Sequence, residues 1–127
     1  MVSQIPGFGN SRRQAPANAP HSHECGDIRV PWNVGQTVFR FRAPMRMSIK
    51  NPIIFCASLE SPSGHTVVLE AWRNGVYGGE VPLNSGANDF KQTMQLQPMD
   101  LIELKVCIRG TGDAETFVRD LWVLFST

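Results

Sequence analysis

His21, His23 and Cys25 are the residues whose types and spacing come nearest to chemistry, standing at alternate positions of the segment His-Ser-His-Glu-Cys. In an extended backbone alternate side chains project to one side, so the three could meet at one ion. A zinc site normally draws four ligands from two spaced pairs. The chain offers no second pair: His65 stands by itself, and Cys56 and Cys107 lie inside apolar runs. No metal is expected. Cys56 and Cys107 read either as two reduced, buried thiols or as a bridge between facing strands. Glu60, Glu70, Glu80, Glu103 and Glu115 could supply the paired acids of glycoside hydrolysis, but each falls at a strand end or on a strand's polar face. His65 lies near Ser61 and Ser63, yet no Gly-x-Ser-x-Gly occurs, and Gly7-Phe8-Gly9 lacks the strand and helix that a phosphate loop needs. No catalytic residue and no cofactor are expected, and the chain does not read as an enzyme.

Two other sets of residues suggest binding. Arg40, Arg42, Arg46 and Lys50 alternate with apolar residues along two consecutive strand-like segments, so they would line one outward basic face. Aromatic interleaving is absent there, which argues against nucleic acid; an acidic protein partner or plain solvent fits better. Trp72 and Tyr77 flank the Asn74-Gly75 pair. They would stand at a hairpin tip, where aromatic rings could form a platform for a sugar.

The elements that position these residues have period two. Thr37–Ala43 sets Phe39 and Phe41 against Arg40 and Arg42; Met45, Met47 and Ile49 share a face; Asn51-Pro52 signals a turn. Residues 53–60 and 66–73 are apolar on both faces, as central strands are. Asn74-Gly75 between apolar runs is the strongest short hairpin signal, because a type I′ turn needs positive φ at both central positions. Strands are also expected at 27–32, 76–83, 90–96, 101–108 and 115–125, with a loop over 84–89. In the closing strand Phe117, Arg119, Leu121, Val123 and Phe125 would share one side, and the strand should lie inside its sheet. About eight antiparallel strands in some 100 residues give an all-β Greek-key or jelly-roll sandwich.

Residues 1–27 are different. Their large aliphatic or aromatic side chains are Val2, Ile5 and Phe8, set among proline, glycine, asparagine and serine. That is too little apolar surface to offset an ordering cost of roughly 1–2 kcal/mol per residue. The division expected is an extended arm over 1–27 and a β domain over 28–127. The arm would be held by a partner, with Val2, Ile5 and Phe8 as anchors and Arg12 and Arg13 as charged contacts. Net charge is +1, which gives no global case for nucleic acid. Residues 1–60 hold seven Lys/Arg and three acids (+4), and residues 61–127 hold five and eight (−3). Arginine outnumbers lysine nine to three, which suits protein interfaces. No apolar run of membrane-spanning length occurs, and the opening Met-Val-Ser-Gln-Ile-Pro lacks the layout of an export signal, so synthesis in a host cytoplasm is expected.

The arm over 1–27, the hairpin Trp72–Tyr77 and the closing strand Phe117–Phe125 together resemble the small jelly-roll cement, or decoration, proteins of tailed bacteriophage capsids. The likeness is one of architecture. It implies a non-enzymatic homo-oligomer on the capsid exterior that binds the major capsid protein and neighbouring copies of itself. A carbohydrate- or receptor-binding module on a virion or tail is the alternative. The hairpin and the Leu96–Leu104 phrase are also similar, more weakly, to C1q-like and tumour-necrosis-factor-like jelly rolls.

Overall fold

The structure is a computed structural model, and it describes residues 14–31, 35–60, 65–110 and 115–127. Val2, Ile5, Phe8, Arg12, Arg13 and Trp32 lie outside the described residues, as do Ser61 and Ser63.

The described chain is all β. Its strands are β1 (Pro20–Pro31), β2 (Gln36–Arg42), β3 (Met47–Cys56), β4 (Ser58–Glu60), β5 (Thr66–Arg73), β6 (Val76–Pro82), β7 (Gly86–Asp89), β8 (Met94–Leu96), β9 (Leu101–Arg109) and β10 (Glu115–Ser126). They form two antiparallel sheets. The first runs β1-β10-β3-β7, with β4 added to β10 and β8 to β3; the second runs β2-β9-β5-β6. Set aside the short β4 and β8, and the eight remaining strands cross from sheet to sheet in jelly-roll order. The all-β sandwich expected from the sequence is the fold observed.

The sheets face each other across one apolar core, in which Ile54, Leu69, Leu96, Leu121 and Val106 are almost wholly buried. Each such side chain stabilises the fold by about 1.5–3 kcal/mol through burial. The expected inward set of β9, Ile102, Leu104, Val106 and Ile108, is buried as alternation requires. Asn74 (φ 50°) and Gly75 (φ 80°) both take positive φ at the β5–β6 turn, as a type I′ hairpin demands. β10 lies between β1 and β3, an interior strand as expected.

Four local expectations change. β1 starts at Pro20, so residues 20–27 of the expected arm are paired with β10. Asn51-Pro52 is not a turn between two strands: Asn51 (φ 51°) sits inside continuous β3, where the β10–β3 register slips. The expected loop at 84–89 contains β7, pinned by the buried Asn88 amide, which donates to the Ile54 and Asn84 carbonyls at 3.1 and 2.8 Å. The strand expected over 90–96 shrinks to β8.

The parity of β10 also switches midway. Thr116 and Val118 point inward before Asp120, and Leu121, Val123 and Phe125 point inward after it. Asp120 (φ 54°) is an extra residue in the strand, and Gly26 (φ 79°) marks the irregularity opposite in β1. The Asp27 carboxylate accepts the Asp120 N–H at 2.9 Å, which satisfies the backbone that the bulge leaves unpaired.

Candidate functional site

The four basic residues do not form one face. Consecutive strands of a jelly roll change sheets, so Arg40 and Arg42 on β2 belong to the second sheet, while Lys50 on β3 belongs to the first. Arg46 lies in the corner between them, where its main chain pairs with the arm. Arg40 meets Glu103 at 3.3 Å, and Arg42 donates to the Met99 carbonyl at 2.9 Å.

Trp72 and Tyr77 do come together. They pair across the hairpin with ring centroids 5.7 Å apart, edge to face. Tyr77 stays exposed, while the surroundings engage the Trp72 ring and the polar ends of both side chains. The Lys105 ammonium covers the Trp72 ring at 4.3 Å, and the indole N–H donates to Glu70 at 3.1 Å. Tyr77 donates to Glu80 at 3.0 Å, and Arg109 bridges Glu70 and Glu80 at 2.9 and 2.8 Å. The polar ends on this outward face therefore engage one another. Cys107 lies among them, its thiol pushed up to about 11 by burial and by Glu70. Asn74 serves the turn itself: its amide donates to Asp100 at 3.0 Å.

His21 and His23 point the same way, as the spacing predicts, but they meet rings. His21 stacks on Phe125 at 4.8 Å, His23 stacks on it at 5.5 Å, and Phe39 and Phe41 of β2 meet His23 edge-on. Cys25 is half-buried and unbridged, as is Cys107, while Cys56 is buried. Cys56 is an inward residue of the first sheet and Cys107 an outward residue of the second. Among the described residues no group of three or more His, Cys, Asp or Glu could hold a metal.

Two features of the structure leave little trace in the sequence. The first is the outward face of the first sheet. There Trp122 stands opposite Phe55 and Leu124 opposite Ile53, all four half-buried, with Phe117 further along β10. An antiparallel sheet with one solvated face normally alternates apolar and polar residues. Here the centre of the solvent side is apolar, and the hint lay in the two-sided apolar runs 53–56 and 121–125. The second is a strap over residues 14–19. Gln14 bridges to Arg46, and Ala15 N–H donates to the Arg46 carbonyl at 3.0 Å. Asn18 N–H donates to the Thr127 carbonyl, Thr127 N–H donates to Ala19 at 3.0 Å, and its hydroxyl donates to Pro16 at 2.6 Å. The strap ties residues before β1 to the end of β10.

No family model and no curated protein matches the chain. Solved structures give loose likenesses. A chain in the structure of infectious bursal disease virus, Gt strain, is 15% identical with a TM-score of 0.48, covering 95% of this chain and 37% of its own. Its counterpart from the Gx strain is 14% identical at 0.45, covering 87% and 33%. An insecticidal delta-endotoxin from Bacillus thuringiensis is 13% identical at 0.47, covering 78% and 19%. The chain thus spans well under half the length of each of these three structures.

Proposed function

We propose that this protein is a non-enzymatic structural component of a virion, a decoration or cement protein on the capsid exterior. It binds the major capsid protein and neighbouring copies of itself. The observation that carries this reading is the apolar outward face of Ile53, Phe55, Trp122 and Leu124 on a sandwich whose polar clusters are engaged internally. A central apolar patch with a polar rim is how an interface core is built. Glu24 and Ser22 on β1 and Asp89 on β7 provide that rim. The jelly-roll strand order supports the reading by analogy, since capsid, lectin and cupin domains share it. The strap adds a fixed point from which an arm departs, beside Arg46.

The test uses purified chain and empty shells of the virus that encodes it, separated on a density gradient. Wild type should sediment with the shells, and a Phe55→Ser/Leu124→Ser variant should keep its β spectrum yet stay at the top. Wild type that binds neither shells nor itself overturns the proposal.

A further inference from the structure

The histidine pair at the start of β1 has no role in the interface just described. Its surroundings give it one. His21, His23 and Phe125 form a nearly parallel stack, with interplanar angles of 5–11°. Phe41 closes on Phe125 edge-on at 5.7 Å, and Phe39 lies parallel to Phe41. Five rings from β1, β2 and β10 thus join the two sheets beside the strap. The Nε2 of His23 is buried there without a hydrogen-bond partner. A neutral imidazole tolerates this at modest cost, whereas an imidazolium would bury a charged N–H that nothing accepts.

Among the described residues no Asp or Glu side chain acts on His23, although Thr127 lines one pocket with His21. On β1 itself Glu24 is exposed, and Cys25 donates to the His23 carbonyl. The neighbouring part of β10, Leu121–Ser126, has no charged residue, and β9 turns apolar side chains inward. Arg40 and Arg42 of β2 are exposed and bind Glu103 and the Met99 carbonyl. Lys50 of β3 lines the same groove as His21, and Arg46 is exposed next to the strap. The Thr127 main-chain oxygen is engaged by Asn18. The charged side chain that shares this groove, Lys50, is positive and would add to an imidazolium rather than offset it.

We propose that the ring stack is an acid-sensitive latch: protonation of His23, with His21 beside it, loosens the first half of β1 and frees the strap over residues 14–19. Burial, and then the neighbouring His21, hold the His23 pKa below its ordinary 6.5. The folded latch therefore binds fewer protons than the loosened one. Its closure is complete above about pH 6.5 and weakens as pH falls below it.

Amide hydrogen exchange on the full chain tests this at about pH 7.5 and about pH 5. After correction for intrinsic rates, exchange over residues 14–25 should rise about tenfold or more in acid, while β5 and β6 hold steady. A His21→Phe/His23→Phe variant keeps the rings and should lose the response. Unchanged exchange in wild type, or a persisting response in the variant, overturns the latch. Should that variant not fold, His23→Phe alone is measured in the same way: loss of the acid response over residues 14–25 upholds the latch, and a persisting response overturns it.

Discussion

Asp100 and Asn74 hold each other's turns: the Asp100 carboxylate accepts the Asn74 amide at 3.0 Å, and the Asn74 amide oxygen accepts the Leu101 N–H at 2.8 Å. The hairpin tip of β5–β6 is thereby fastened to the β8–β9 turn. Gln97 N–H at 2.9 Å and Arg73 at 2.7 Å complete the carboxylate's partners.

Those bonds, the Asn74 amide first and Gln97 N–H second, hold the Asp100 carboxyl down at about 2. A depressed carboxyl contributes stability above its unfolded value, and that contribution drains away as pH falls through the folded value. Stability should therefore decline between about pH 4 and about pH 2 in wild type, and less steeply in Asp100→Asn. Asp100→Ala should cost about 1–2 kcal/mol near neutral pH, since part of the site is solvent-screened. Urea melts at several pH values measure both.

The neighbouring turn makes a backbone prediction. Gly75 holds φ 80° and has open space where a side chain would stand, so an added methyl meets conformational strain and no clash. Gly75→Ala should destabilise by about 1 kcal/mol, and Asn74→Ala by more because it also breaks the Asp100 clamp. A thermal melt of each variant measures the order, and equal losses would show that the clamp contributes little.

This hairpin was legible because both of its requirements are local. The parity switch at Asp120 was not, because a bulge shows only once the opposing strand is known. Plain alternation therefore puts Phe117 and Arg119 on the side of Leu121, whereas the bulge turns them outward. The basic face failed for a topological reason: Arg42 and Lys50 are close in sequence, but the chain changes sheets between them. The arm ends sooner than its aliphatic content implies, because the rings of His21 and His23 pack inward and hold residues 20–25 on β10. The apolar outward face was partly written in Ile53 and Phe55, where two-sided hydrophobicity suggested only a central strand.

The strap can be separated from the rest of the arm by two truncations. Deleting residues 1–13 leaves Gln14, Ala15 and the bonds to Arg46 and Thr127 in place. Deleting residues 1–19 strips Thr127 of its partners Pro16, Asn18 and Ala19. The shorter deletion should leave the melting temperature within a degree or so, while the longer should lower it by about 4–8 °C, the equivalent of 1 kcal/mol or more. Shell binding that survives the first deletion would place the contacts in the sheet face rather than in Val2, Ile5 and Phe8.

Cys107 offers a chemical check on the second sheet's outward face. Burial and the adjacent Glu70 carboxylate raise its thiol to about 11, with Arg109 acting in the opposite direction. The thiolate is the reactive form, so Cys107 should react with iodoacetamide far more slowly than an ordinary exposed thiol near pH 8. Glu70→Gln removes the larger of the two carboxylates that oppose ionisation but leaves Arg109 and Glu80 in place, so alkylation of Cys107 should quicken. Mass-spectrometric mapping of labelled Cys25, Cys56 and Cys107 distinguishes this from general loosening. Acceleration confined to Cys107 supports the local electrostatic account, and parallel acceleration at buried Cys56 would mean that the sandwich itself has opened.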